Sequence, residues 1–249
     1  MTAPARSVAE SKQPSVWEDF VDVFYAPAAV FLRRREGRYG LALVVLTVLF
    51  AVSFLATKPL LEPLFERSFE EGIAALRAQG MSDEQIAEAP PIIERMVGIT
   101  SGATAIIGMP LLVLLGALVA WVAAKPFGST ASFGQTMMVA TYANVPRIVG
   151  AVVGAAILMF LDASQLPALQ QMSVGPALLL PRDASPVLVA LMQRLDVFTL
   201  WTTALYGIGL SVVGKISRGQ GFAAAGLGWV VATIFALLLG LRQAATLGG

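Results

Sequence analysis

Residues 96–124 read MVGITSGATAIIGMPLLVLLGALVAWVAA, 29 residues from Met96 to Ala124 without a charged side chain. An α-helix rises 1.5 Å per residue and crosses a hydrocarbon core of about 30 Å in roughly 20 residues, whereas a tilted barrel strand needs only about 10. The stretch is therefore long enough for a membrane helix and too long for a barrel strand. Its Leu, Val, Ile, Ala and Gly also lack period-two alternation. Four further runs share this character: Tyr39–Thr57, Pro126–Leu161 with Arg147 as its single charge, Val197–Gly214 and Gly219–Leu241. Together they predict an all-α polytopic membrane helical bundle with spans at about 39–57, 97–124, 133–161 (broken at 146), 196–214 and 222–241.

Composition points the same way. Of 249 residues, 57% are hydrophobic and 13% charged, against roughly 25% charged in an average soluble domain. Mean hydropathy is +0.75. The 17 Lys and Arg nearly cancel the 16 Asp and Glu. No basic stripe alternates with aromatics, so nucleic acid is excluded as a partner and the lipid bilayer is the expected environment. Histidine and cysteine are both absent. That removes the commonest zinc and haem ligands, any disulfide, and the usual base and nucleophile of a triad, so neither a metal nor a cofactor is expected.

Orientation follows from Lys and Arg beside the membrane, because positive loops stay cytoplasmic. Arg33, Arg34, Arg35 and Arg38 precede the first span, Lys125 lies in KPFGSTAS, and Lys215 and Arg218 lie in KISRGQGF. With five spans, all three segments fall on one side. That side holds nine basic and five acidic residues and the other seven and eleven, with Arg147 between them. The expectation is a cytoplasmic N-terminus and an outer C-terminus. No apolar core precedes residue 39, so the first span is expected to act as an uncleaved anchor.

Residues 1–15 read as a disordered cytoplasmic tail and 16–38 as an amphipathic interfacial helix with an arginine cluster. Trp17, Phe20, Val21, Phe24 and Phe31 fall on one face with Tyr25 nearby; Glu18, Asp19 and Asp22 are expected to face away; and Pro27 should interrupt the helix. Such a helix braces the bundle or docks a partner. Residues 39–249 form the membrane domain, whose outer loop, 58–96, carries a stripe of Leu61, Phe65, Phe69, Ile73 and Leu76 at helical spacing. It should fold as a helical hairpin packed on the bundle as a lid. Gly80 suits a C-cap, Ser82 with Gln85 a capping box, and Pro90–Pro91 the start of the next helix.

The third run holds the candidate functional patch Tyr142, Asn144, Pro146 and Arg147. Two geometries are open. Ser132–Val145 could be interfacial or re-entrant, followed by a short span from Pro146 with Arg147 snorkelling to the cytoplasmic headgroups. Alternatively, one long helix kinks at Pro146 and holds Arg147 near the bilayer centre, which costs about 2.5–3.5 kcal/mol on insertion scales unless the charge is paired or wet. Asp162 and Asp196 flank spans three and four as a protease dyad would, but each sits at a span end, where capping or an ion pair with Arg194 suffices. Gly207, Gly209, Gly214, Gly226 and Gly228 read as helix-packing positions. Gly207-x-Gly209 follows no strand and is not a dinucleotide fingerprint, and no Walker motif is present.

Three motifs carry a family resemblance. VFYAP, Val23–Pro27, resembles the D-L-Y-G-P element of the Yip family of five-span membrane proteins, named for interaction with Ypt and Rab GTPases. TYANVP, Thr141–Pro146, is similar to that family's G-Y-x-x-x-P in span three, and Trp201 with Gly207 and Gly209 adds a third match, over roughly Trp17–Leu241. Val23 and Ala26 stand where trafficking members carry Asp and Gly, Thr141 where they carry Gly, and the long polar N-terminus is missing. These departures weigh against a GTPase contact. Thirteen Arg to four Lys, with abundant Ala and Gly, suits a GC-rich bacterial genome, so the resemblance implies a bacterial-type member in the plasma (bacterial inner) membrane.

The function that absorbs most of these features is a non-catalytic membrane organiser or adaptor, associating with itself or with other membrane proteins. The alternative is a small transporter, channel or lipid-translocating protein using a wet patch in span three. One broken run exists, but no convincing second half-repeat accompanies it. For a membrane enzyme there is no convergent acid, base and nucleophile in the sequence.

Overall fold

The computed structural model describes residues 15–78, 80–82, 84, 86, 90–160 and 173–247. Within them all regular structure is helical: α1 (Val16–Tyr25), α2 (Pro27–Arg33), α3 (Gly40–Ala78), α4 (Pro90–Ala124), α5 (Phe133–Ala143), α6 (Pro146–Met159), α7 (Pro186–Gln193), α8 (Val197–Gly214) and α9 (Arg218–Leu247). Short 3₁₀ turns lie at Lys125–Phe127 and Pro176–Leu179. Five segments are long and apolar enough to cross a membrane: Gly40–Pro63, Ile106–Phe127, Phe133–Met159, Val197–Gly214 and Arg218–Arg242. Asp162 and residues 1–14 lie outside the described residues.

The bundle is built around α8. That span is 56% buried, against 11% for Gly40–Pro63 and 17% for Arg218–Arg242, and it packs on α2, α4, α5, α6 and α9. The arginine turn, the Lys125 turn and the Lys215 turn gather at one end. Gln135 Nε2 donates to the Arg35 carbonyl at 2.8 Å, and Thr130 donates to the Gly214 carbonyl through its amide and hydroxyl at 3.1 and 3.3 Å. Three helices open at this end on reciprocal Ser-x-x-Glu/Gln bonds, Ser15–Glu18, Ser132–Gln135 and Ser217–Gln220, which satisfy amides that a helix start leaves free. Gly37 closes the arginine turn at φ +81°, its Cα against the Gly134 backbone. A side chain there would meet both a left-handed backbone and the first turn of α5.

α1 and α2 form a tight hairpin, and its docking differs from the expected face. Asp19, expected to point away, is fully buried, as are Val23, Val30 and Phe31, with Phe20 nearly so. Trp17, Val21 and Tyr25, one turn apart on α1, are instead turned out, Tyr25 to 83% exposure. Half-buried Phe24 stacks edge-on against Trp201 at 5.3 Å. Trp201 lies thirteen residues from Gly214, about 20 Å at 1.5 Å per residue, so the hairpin descends beside α8 and does not lie across its end. Pro27 is the first residue of α2, where its missing N–H costs nothing.

The loop after span one also differs. α3 continues as one 39-residue helix through Pro59 and Pro63 to Ala78, and α4 begins at Pro90, so the outer hairpin is an extension of spans one and two. Among the described side chains from 62 to 80 all but Ile73 are exposed, including Phe69, while Ile86 further along the loop is buried. The side chains of Phe65 and Leu76 lie outside the described set, as does Gln85. Gly80 caps α3 at φ +86° with its amide on the Arg77 carbonyl at 3.0 Å, as its position suggested.

Candidate functional site

Two buried polar clusters occupy the bundle, and they divide the sequence-derived patch between them. The first is centred on Asp19. Its carboxylate accepts from Arg33 and from Arg34, each at 2.6 Å, and from the Tyr142 hydroxyl at 3.4 Å. Arg33 also reaches Asp22 at 2.7 Å, and this bond is the largest influence raising its guanidinium above the ordinary arginine value. Phe20 stands edge-on to Tyr142 at 5.8 Å, sealing the cluster on its apolar side. The arginines, read from sequence only as topology signals, therefore also close an ion pair that holds α1 to the end of α2, and the Tyr142 hydroxyl joins it from α5.

The second cluster begins at the break in span three. Asn144 and Val145 keep right-handed helical dihedrals, and the Arg147 amide donates to the Asn144 carbonyl at 3.1 Å. Pro146 has no N–H to offer the Tyr142 carbonyl, which accepts from Val145 at 3.2 Å instead. The chain thus keeps helical dihedrals through the break between α5 and α6, and residues 136–143 are buried inside the bundle. Arg147 is the fifteenth of the 27 residues Phe133–Met159, near the middle of the span.

Asn144 donates to the Ala140 carbonyl at 2.8 Å and to the Tyr206 hydroxyl at 3.5 Å. Tyr206 has room because residue 116 is glycine: a Cβ there would lie 2.5 Å from its oxygen. Two cavities, of about 670 and 580 Å³, share Leu112, Arg147, Arg194, Thr199 and Ala236 as lining. The larger also has Asp196 and Ser173 in its wall, the smaller Asn144, Thr202, Thr203 and Tyr206. Arg194 donates to Thr233 at 3.2 Å and sits over the Trp229 ring at 5.7 Å; burial, then the charge of Arg147, pulls its guanidinium below the ordinary arginine value.

Asp196 behaves as a cap. It accepts from the amides of Phe198, Thr199 and Val174 at 2.9, 3.0 and 2.6 Å, and no ion pair joins it to Arg194 among the described residues. Among the packing glycines, a Cβ on Gly207 would meet Phe222 at 2.7 Å, one on Gly209 would run into Val139, and one on Gly214 into Ser129. Gly226 faces open space, and Gly228 has only Val119 at 3.5 Å, so neither marks a close approach. Tyr142 thus belongs to the Asp19 cluster, while Asn144 and Arg147 face α8. The residues missed from sequence had a signal: Thr199, Thr202, Thr203 and Tyr206 recur at helical spacing on one polar face of an apolar span.

Comparison with known proteins places this architecture. The Yip1 domain model matches residues 21–240. Membrane protein YknW of Bacillus subtilis (strain 168) is 23% identical over 221 residues, covering 88% of both chains. No solved structure matches. With a family model running from the middle of α1 into the last of the five apolar segments, the chain is an integral membrane protein that belongs to the Yip1 domain family.

Proposed function

We propose that the protein is a non-catalytic membrane organiser or adaptor, held in a bacterial plasma membrane with its N-terminus cytoplasmic and C-terminus outside. The orientation is supported by the three arginine- and lysine-bearing turns gathered at one end of the bundle. The observation that carries the role is the outward stripe Trp17, Val21 and Tyr25 on a hairpin clamped from behind by Asp19, Arg33, Arg34 and Tyr142. A rigid, aromatic-rich edge loses little entropy when another membrane helix docks on it. Photo-reactive residues at Val21 and Tyr25 in living cells are expected to yield discrete protein adducts, whereas one at Val48, exposed on α3, gives mainly lipid. Lipid adducts alone at all three positions would overturn the docking role.

A second reading, a small transporter, channel or lipid-translocating protein, is favoured by the two mid-span cavities. It does not run through the whole patch, because Thr141, Tyr142, Ala143, Asn144 and Val145 are at most 5% exposed. Single cysteines at 141–145, in a chain without native cysteine, are expected to resist an impermeant thiol reagent from both sides while exposed Ser217→Cys reacts. Labelling at 141–145 from either side would show a water-filled path and favour transport.

A further inference from the structure

We propose that the cavities meeting at Arg147 bind the phosphate headgroup of an anionic membrane lipid, which enters sideways from the bilayer between α4 and α9. Three buried side-chain polar atoms lack a hydrogen-bond partner among the described residues: Arg147 Nε, Thr202 Oγ1 and Ser173 Oγ. All three residues line these cavities. A buried donor without an acceptor is costly, and an orphan guanidinium N–H, a hydroxyl and a second arginine around one space match an oxyanion with several acceptors. The one carboxylate in the wall, Asp196, uses its oxygens on three backbone amides as the cap of α8 and keeps its charge, so two guanidiniums against one acid leave the space with a net positive charge.

The doorway selects the source of the phosphate. The smaller cavity is bordered by Leu112 and Leu115 on α4 and by Val231, Phe235 and Leu239 on α9, all exposed on the outside of the bundle and none polar. Inorganic phosphate has no apolar part to match this edge, whereas a lipid in the surrounding leaflet can leave its chains there. Phe50, Phe54, Leu158 and Phe198 in the larger cavity add apolar wall. The site is independent of whatever docks on the N-terminal hairpin.

The full chain in nanodiscs of phosphatidylcholine, doped with phosphatidylglycerol, tests this by native mass spectrometry and by crosslinking to a photoactivatable phosphatidylglycerol. Wild type is expected to retain phosphatidylglycerol over phosphatidylcholine by about tenfold or more, the size of one charge-assisted hydrogen bond lost or gained. Crosslinks should map to 112–115, 199–206 or 231–239. Arg147→Gln is expected to abolish most of the preference, and Thr202→Val, which removes no charge, to weaken it several-fold with unchanged thermal stability. The crosslink map on wild type decides the matter even if Arg147→Gln does not fold. Equal retention of both lipids, crosslinks confined to other surfaces, or displacement of the probe by millimolar inorganic phosphate would each overturn the proposal; the last would show a free-anion site.

Discussion

Asp19→Asn is expected to loosen α1 from α2 and from Tyr142, opening the N-terminal hairpin, while leaving the five spans in place. The substitution keeps the shape of the side chain and removes its charge from between two arginines at 2.6 Å each, inside a fully buried position. Removing one partner of a fully buried ion pair costs about 3–5 kcal/mol; here the arginines left behind are 32% and 18% exposed and Arg33 keeps Asp22, so the loss of charge-assisted hydrogen bonds sets the scale, about 1.5–3 kcal/mol. Asp22→Asn is the comparison. Its pair with Arg33 is 41% and 32% exposed, so its loss should cost no more than about 1 kcal/mol. Hydrogen–deuterium exchange over residues 16–33 in nanodiscs reads the difference. Strong loss of protection is expected for Asp19→Asn and little for Asp22→Asn, and wild-type protection in Asp19→Asn would show that the cluster does not hold the hairpin.

The second large effect is expected at Gly221→Ala, a position unmarked by the sequence reading. α8 and α9 approach so closely there that an added Cβ would overlap the Gly207 carbonyl oxygen and lie 2.9 and 3.1 Å from Ser211 Cβ and N. Two of those three atoms are backbone, so relief requires moving one helix against the other, and overpacking of this kind costs about 1–3 kcal/mol. Gly226→Ala, five residues on and with nothing within 4 Å of its Cβ, should be neutral or gain up to about 1 kcal/mol from helix propensity. Melting temperatures in one detergent compare them. Equal melting points would mean that the helix contact is softer than its geometry indicates.

The spans were legible because lipid imposes a length: a helix needs about 20 uncharged residues whatever its neighbours do. In water an amphipathic helix turns its apolar face inward, and that rule placed Asp19 on the outer face. Here a carboxylate with its counterions takes the inward place instead: Asp19 meets Arg33, Arg34 and Tyr142 inside, which leaves Trp17 and Val21 turned out. The end of the apolar run does not end α3. Lys58 and Glu62 end the hydrophobic run, but hydrophobicity stops at the membrane edge and backbone hydrogen bonding need not, so the helix continues to Ala78. Arg147 could be named from sequence and Thr202 had a signal in the spacing of polar residues along α8, but that Arg194, Thr202 and Ser173, 26 to 55 residues away, line the same cavities as Arg147 follows only from the fold.

The burial of α8 has a consequence for biogenesis. It shares with Phe133–Met159 the lowest mean hydropathy of the five segments, 1.5 against 2.2–2.5 for the others, and these two pack on each other. Released alone into lipid, α8 would expose its threonines and Tyr206. The ribosome delivers it after α2, α4, α5 and α6, so four of its five neighbours have been synthesised before it leaves the translocon, and α9 follows to close the remaining side. The order of the helices along the gene is thus also an assembly schedule, in which the least lipid-compatible element is made when its seat is nearly complete.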